Sequence, residues 1–145
     1  MATKVSSILK HKGHHVVTVA PQHTVASVVK LLTQNRIGAA PVINQEGRLV
    51  GIISERDIIR GMSEHEQAAL TLSAEQLMTR EVRLCSPEDE LVELMQVMTR
   101  QRIRHLPVVQ NGALDGIVSI GDVVKQRLEE VQSEAEELRK YICSP

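Results

Sequence analysis

Apolar residues follow two different spacings along this chain. Over residues 24–36 and again over 89–102 they recur at i, i+3, i+4 and i+7, which is the period of an amphipathic helix. The β-branched runs at 14–19 and 81–85 are each followed shortly by a proline, and they predict short strands. The two spacings together predict an alternation of strand and helix.

Each of these helices is followed by the pattern of a hairpin. Residues 40–54 and 106–119 contain apolar runs on either side of a glycine-containing turn, which predicts a pair of antiparallel strands. Helix is expected again over 55–62 and 120–128. The order strand, helix, strand, strand, helix is therefore predicted to occur twice.

The two predicted units also match residue by residue. Val19–Arg60 and Cys85–Lys125 align with a single one-residue gap. The matched positions are Pro21 with Pro87, Arg36-Ile37 with Arg102-Ile103, Pro41-Val42 with Pro107-Val108, Gly51-Ile52 with Gly116-Ile117, Ser54 with Ser119 and Asp57 with Asp122. A unit of about 50 residues has one small sheet and is marginally stable alone. We therefore predict an α+β fold in which the two units pack sheet to sheet about a pseudo-two-fold axis, with two symmetric clefts between them.

The repeat divides the chain into four segments. We expect a first unit at 4–62, a linker at 63–76, a second unit at 77–127 and a C-terminal helical extension at 128–145. A short helix is expected near Ser73–Met78, where the linker ends. The extension has an apolar stripe spaced by 3, 4, 3 and 4 residues, formed by Leu128, Val131, Ala135, Leu138 and Ile142. Such a stripe packs either onto its own domain or against a second copy of the chain, and the sequence leaves both open.

Charge and composition exclude several classes of partner. The formal net charge is -1 at pH 7, so the chain lacks the excess of Lys and Arg that binds nucleic acid or an anionic membrane surface. With no Trp, no Phe and only Tyr141, it offers few stacking platforms. There is no apolar run long enough to span a membrane and no signal-peptide core, so we expect a cytoplasmic protein. Cys85 and Cys143 are too few for a disulfide framework, and no Cys or His cluster has metal-ligand spacing, so no metal site is predicted.

The most informative motif is GIISERD at 51–57, with its twin GIVSIGD at 116–122. Ser-x-x-Asp where a strand meets a helix is the pattern of a capping box, in which the serine caps the helix and the aspartate reaches back. The same junction also suits a nucleotide, because a helix N-terminus attracts phosphate and a carboxylate there can accept both ribose hydroxyls. The two interpretations compete for the aspartate, and both stay open at this point.

A second motif breaks the symmetry of the repeat. In RIRHLPVV, at 102–109, Arg104 and His105 stand where the first unit has Gly38 and Ala39. A purely structural role would be expected in both copies, whereas two adjacent cations beside a cleft suit an anion such as phosphate.

The repeated strand, proline, amphipathic helix, hydrophobic-Pro-Val and Gly-hydrophobic-hydrophobic-Ser-x-x-Asp resemble a pair of CBS domains, the module named after cystathionine beta-synthase and also called a Bateman module. The resemblance covers roughly Lys4 to Val131, and it extends to stand-alone bacterial pairs of such domains. The repeated pattern of this chain is also similar to that of the gamma subunit of the AMP-activated protein kinase. The resemblance implies regulatory binding of AMP or ATP, with NAD(H) and then S-adenosylmethionine as further ligands, in composite clefts between the two units.

The resemblance also assigns site residues to each cleft. In the first cleft it implies that Asp57 contacts the ribose hydroxyls and that Ser54 lies near the ribose or a phosphate. It further implies adenine contacts from Ile103 and from the backbone near Glu81 and Val82, and phosphate contacts from Arg104 and His105. Arg56 stands where the second unit has Gly121, and it either adds charge to the site or lies on the helix surface. In the second cleft it implies Asp122 and Ser119, lined by Ile37, Gly38, His14, His15 and Val16.

These observations favour an adenylate-sensing regulatory module that acts on a partner protein and forms a homodimer. An enzyme is not expected, since the sequence has no P-loop, no GxGxxG and no visible nucleophile with a positioned base. The alternative is an assembly module that dimerises without binding nucleotide, its Ser-x-x-Asp motifs serving only as caps.

Overall fold

The computed structural model describes residues 3–143. The helices are α1 (Val5–Lys12), α2 (Val25–Asn35), α3 (Glu55–His65), α4 (Ala74–Leu77), α5 (Leu91–Gln101) and α6 (Ile120–Cys143), with a 3₁₀ helix at Glu66–Thr71 between α3 and α4. The strands are β1 (Ala39–Ile43), β2 (Leu49–Ser54), β3 (His105–Gln110) and β4 (Ala113–Ser119). The α+β class and the tandem repeat are confirmed.

The two predicted hairpins form as separate antiparallel sheets, β1 with β2 and β3 with β4. Pro41 lies opposite Ile52 in the first sheet, and Pro107 lies opposite Ile117 in the second. In both sheets the pairing register shifts directly after the hydrophobic-Pro-Val motif. The shift lies between Val42 and Ile43 in the first sheet and between Val108 and Val109 in the second. The duplication therefore extends to backbone irregularities.

The strands predicted at 14–19 and 81–85 are wrong in length. Val19 forms one parallel bridge with Val42, and Cys85 forms one with Val108. In a parallel ladder the next bond toward the N-terminus would need an N–H from Pro41 or Pro107, and proline has none. The ladder therefore stops after one residue, and each segment leaves the sheet.

Each half has its own core, and each core includes a helix from the other half's sequence. Val25, Val28 and Leu32 of α2 pack with Val42 and Ile53, and this cluster also contains Ala74, Leu77 and Met78. The second cluster contains Val5, Ile8 and Leu9 of α1 together with Leu91, Leu94, Met98, Leu106, Val108, Val118 and Val123.

Two glycines allow this exchange. A Cβ on Gly51 would lie 2.6 Å from Met78 Sδ, and a Cβ on Gly116 would lie 2.7 Å from Leu9 Cδ2. Each hairpin therefore needs a glycine on β2 or β4, because the exchanged segment lies directly against the strand.

The C-terminal extension continues α6 without a break to Cys143. Its apolar stripe does not pack onto its own domain, since Leu128 is 58% exposed, Leu138 63% and Ile142 71%. Of the two interpretations of the stripe, the first is therefore wrong. Within residues 3–143, no helix is both long enough and apolar enough to cross a membrane.

Candidate nucleotide-binding clefts

A cleft of about 400 Å³ lies between the two halves. It is lined by Gly38, Ala39, Ile52, Ser54, Glu55, Arg56, Asp57 and Arg60 from the first half, and by Thr79, Glu81, Val82, Arg83 and Gln101–His105 from the second. Every residue predicted for the first cleft lines it. Gly38, predicted for the second cleft, lies in this one as well.

The floor of the cleft is the junction between β2 and α3, where Ser54 and Asp57 form a capping box. Asp57 N–H donates to Ser54 Oγ at 3.3 Å, and Asp57 Oδ2 accepts from Ser54 N at 2.9 Å and from Ser54 Oγ at 3.0 Å. The motif thus has the capping geometry that its sequence predicts.

The second oxygen of Asp57 is also used. Oδ1 accepts from Arg60 Nη2 at 2.5 Å and from Thr79 Oγ1 at 3.0 Å. Asp57 is 4% exposed, whereas the side chain of Arg60 is 59% exposed. A buried carboxylate with one exposed cationic partner can exchange that partner for another donor without being left unsatisfied.

Cations dominate the rim. Five arginines line the cleft, against the three acidic residues Glu55, Asp57 and Glu81; the arginines are Arg56, Arg60, Arg83, Arg102 and Arg104. Arg56 Nη1 donates to the carbonyl of Arg102 at 3.1 Å, which joins α3 of one half to the end of α5 in the other. The excess of positive charge favours an anionic ligand.

Sequence reasoning missed several of these residues. Arg60 could have been found, because it follows Asp57 by three residues on a predicted helix and can pair with it. Thr79 and Arg83 carry no local signal, since they reach the cleft only through the exchange of segments between halves.

His105 begins β3, opposite Ser119 of β4, and faces the first half. A Cβ on Gly38 would lie 3.3 Å from His105 Cε1, so this position in the first unit must stay small. Burial lowers the pKa of His105, and the nearby charges of Lys12 and Arg104 lower it further, while Glu55 and Asp122 act in the opposite direction. The imidazole therefore favours its neutral form.

The twin motif at the start of α6 has the same capping geometry. Ser119 N donates to Asp122 Oδ2 at 2.9 Å, and Asp122 N donates to Ser119 Oγ at 3.1 Å. Asp122 Oδ2 also accepts from Lys12 Nζ at 2.7 Å. Burial acts to raise the pKa of Asp122, but the hydrogen bonds from Lys12 and Ser119 outweigh it and hold the pKa below its ordinary value.

The remaining residues predicted for the second cleft are more dispersed. His14 Nδ1 lies 3.0 Å from the carbonyl oxygen of Asp115 and 3.1 Å from its carboxylate. His15 is exposed and Val16 half-buried. Ile37 packs against the core of the first half and lines a groove between α2 and α3.

Comparison with known proteins identifies the family of the two repeated units. The family model for the CBS domain matches residues 5–64 and 74–129. The mitochondrial CBS domain-containing protein CBSX3 of Arabidopsis thaliana is 34% identical over 149 residues, covering 97% of this chain and 72% of the relative.

Solved structures agree with this assignment. The crystal structure of the CBS-domain protein ATU1752 from Agrobacterium tumefaciens is 41% identical, covers 88% of this chain and 95% of its own, and superposes with a TM-score of 0.85. The CBS domain pair of protein MJ0100, solved with 5-methylthioadenosine and S-adenosyl-L-methionine, shares the fold at 22% identity and a TM-score of 0.75, covering 90% of this chain and 99% of its own. With two matched domains, one in each half of the repeat, the chain belongs to the CBS domain family as a CBS domain pair.

Proposed function

We propose that this CBS pair is a regulatory module that binds an adenine nucleotide in the first cleft and signals occupancy to a partner protein. The observation that carries the proposal is the composite lining of that cleft. The Ser54–Asp57 box of one half faces the cation Arg104 and the imidazole of His105 in the other half across a space of about 400 Å³. That volume falls within the range of small-molecule sites, about 300–1,000 Å³.

The ribose is assigned to Asp57. Oδ1 already accepts from Arg60 and Thr79, and the exposed Arg60 is the partner that a ribose hydroxyl can replace. Exchange of one hydrogen bond for another keeps the buried carboxylate satisfied. Arg60, once released, becomes a further cation for the phosphates.

The other residues that line the cleft suggest where the base and the phosphates would bind. Ile52, Val82 and Ile103 offer aliphatic surface to a purine, since the chain has no Trp and no Phe to stack on it. Arg104 supplies a planar fork for phosphate oxygens, with Arg83 and Arg102 nearby. AMP and ATP fit this arrangement best, NAD(H) is a further candidate, and S-adenosylmethionine, which is not an anion, suits the arginines least. The adenosyl ligands of the MJ0100 pair support an adenosine-binding role for this fold.

Signalling requires that the ligand bind two conformations of the module with different affinity. The cleft lies between the halves, so a ligand that contacts Asp57 and Arg104 together favours one spacing of the two halves. Two partners are proposed to respond to that change. One is a second copy of the chain, bound through the exposed apolar stripe of α6, and the other is the protein that the module regulates. The role is one of binding, and no catalytic step is proposed.

An assembly module without nucleotide binding is the competing function. Two observations favour it: helix capping accounts for both Ser-x-x-Asp motifs, and α6 exposes apolar side chains. Calorimetric titration with AMP, ATP, NAD, NADH and S-adenosylmethionine separates the two functions. We expect binding of an adenine nucleotide that is weakened at least tenfold by Arg104→Ala and unaffected by Arg100→Ala, a change in an arginine of α5 that does not line the cleft.

The absence of binding by all five compounds would leave only the assembly function. Binding that Arg104→Ala and Asp57→Asn do not weaken would place the ligand elsewhere. Chromatography of the nucleotide after incubation tests for turnover, which we do not expect.

A further inference from the structure

The two Ser-x-x-Asp boxes differ in the residues outside the box that donate hydrogen bonds to the aspartate. Asp57 accepts from Thr79, which enters from the second half, and from Arg60 of its own helix. Asp122 accepts instead from the ammonium of Lys12, at 2.7 Å. Extending the repeat alignment without gaps toward the N-terminus pairs Gly13 with Thr79. The residue at the Thr79 position then has no side chain, and its neighbour Lys12 makes the contact with Asp122.

Besides the carboxylate of Asp122, Lys12 contacts a second polar group at the predicted second cleft. Its Nζ donates to the carbonyl oxygen of Ile117 at 2.8 Å. Ile117 is the repeat partner of Ile52, which lines the first cleft. The ammonium therefore binds the carboxylate and a strand carbonyl whose counterparts lie at the floor of the first cleft.

The position of Lys12 is fixed by a packed helix. Val5 and Leu9 of α1 are buried in the second core, and α1 is further held by hydrogen bonds from Val5 N to Asp89 O and from Ser6 N to Pro87 O. Lys12 is the last residue of this helix, and Gly13 N closes it by donating to Leu9 O at 2.7 Å. The charge is thus placed by tertiary structure rather than by a mobile loop.

The backbone differs between the halves in the same place. In the first half, Thr79 and Ile52 exchange two main-chain hydrogen bonds, at 2.8 and 3.0 Å, and Thr79 leaves the space above Asp57 open. In the second half, the carbonyls of Asp115 and Ile117 accept side-chain donors, from His14 and Lys12 respectively. Two side chains thus bind the edge of β4, whereas in the first half the main chain of Thr79 binds the edge of β2 through one isolated bridge.

We propose that Lys12 closes the second cleft, its ammonium taking the place where a ribose would meet Asp122, so that each chain binds one nucleotide and not two. The proposal rests on the function proposed above. Neutral ribose hydroxyls would have to replace a charge-assisted hydrogen bond, which is about twice as strong as a neutral one. The pair of Asp57 with Arg60 in the first cleft is also charge-assisted, but the Arg60 side chain is 59% exposed, against 34% for Lys12. Arg60 is held by one hydrogen bond, whereas the ammonium of Lys12 is held by two, so Arg60 is the easier cation to displace.

Equilibrium dialysis with labelled AMP and, separately, labelled ATP measures the stoichiometry directly. The variants are Lys12→Met, which keeps the aliphatic stem and removes the charge, and Lys10→Met, a matched loss of charge on the exposed face of the same helix. We expect one equivalent per chain for the unmodified protein and for Lys10→Met, and two for Lys12→Met. The second equivalent should disappear in the double variant Lys12→Met/Asp122→Asn, while Asp57→Asn should remove the first.

Two equivalents bound by the unmodified protein, or a single equivalent bound by Lys12→Met, would overturn this inference and leave the proposed function standing. A second equivalent that survives Asp122→Asn would also overturn it. Conversely, no binding by the unmodified protein but one Asp122-dependent equivalent in Lys12→Met would support the role of Lys12 and refute nucleotide binding in the first cleft. If neither protein binds AMP or ATP, both proposals fail.

Discussion

Thr79 Oγ1 lies 3.0 Å from Asp57 Oδ1, so a hydroxyl at the entry to the second half completes the hydrogen bonding of a buried carboxylate in the first. The residues are 22 positions apart and belong to different repeats. This contact, together with the main-chain bonds between Thr79 and Ile52, ties the two halves at the floor of the cleft.

Replacement of Thr79 by valine preserves the shape and removes the hydroxyl. We expect the free energy of unfolding to fall by about 1 kcal/mol, the usual net value of such a hydrogen bond. Urea denaturation measures this, with Thr99→Val as the control, since Thr99 is exposed and its hydroxyl donates to the carbonyl of Met95 in the same helix. Equal loss in both variants would show that the contact with Asp57 does not contribute.

Gly51 and Gly121 should respond to alanine in opposite ways. A Cβ on Gly51 would meet Met78 Sδ at 2.6 Å and the Thr79 carbonyl at 2.8 Å, so Gly51→Ala must displace the exchanged segment and should cost about 1–3 kcal/mol. A Cβ on Gly121 meets only Ser119 Oγ, at 3.6 Å, and alanine favours the first turn of α6. We therefore expect thermal unfolding at a lower temperature for Gly51→Ala and at an equal or higher one for Gly121→Ala. The reverse order would refute the close packing of Met78 on β2.

His105 should make the fold sensitive to acid. Its pKa is lowered in the folded state, first by burial and then by Lys12 and Arg104, so below pH 6.5 the unfolded state binds a proton that the folded state resists. The stability due to neutral His105 is present above pH 6.5 and is lost as the pH falls through the folded pKa. In urea titrations, wild type should therefore lose more stability between pH 7.5 and 5.5 than His105→Asn does. Identical losses would contradict the assignment.

The two cysteines should differ in reactivity. Burial, with the charge of Asp89, raises the pKa of Cys85 to about 12, whereas Cys143 is exposed. Because the thiolate is the nucleophile, iodoacetamide at pH 8 should modify Cys143 in the folded protein and Cys85 only after denaturation. Mass spectrometry of the labelled peptides, with Cys143→Ser as the reference, gives the answer. Rapid labelling of Cys85 in the native protein would show that β3 opens readily.

The proposed homodimer can be tested through α6. Leu128 and Leu138 are 58% and 63% exposed, so changing both to glutamate should not alter the unfolding of an isolated chain. It should, however, dissociate a dimer held by this stripe, which light scattering coupled to size exclusion would detect. A dimer that persists would require an interface elsewhere, and Glu136→Leu/Glu137→Leu provides a control on the exposed polar surface of the same helix.

Much of the architecture could be predicted because the repeat makes each local pattern count twice. The hairpins, the amphipathic helices and both capping boxes depend on residues close in sequence, and all of them formed. The strands at 14–19 and 81–85 did not form in full, because the prediction weighed their β-branched residues and not the missing N–H of the prolines opposite them. Thr79, Arg83 and Lys12 could not be predicted as cleft residues, since only the exchange of segments between the halves brings them there.

That exchange also has a consequence for how the chain folds during synthesis. The apolar face of α1, with Val5, Ile8 and Leu9, leaves the ribosome before the first sheet, yet its core is complete only when Val123 has been made. At about 5–20 residues per second, the face of α1 stays uncovered for roughly 6–23 s. A nascent chain stalled after the first half would therefore expose the apolar face of α1 to chaperones and proteases. Packing of α1 into the core of the second half would be among the last steps of folding.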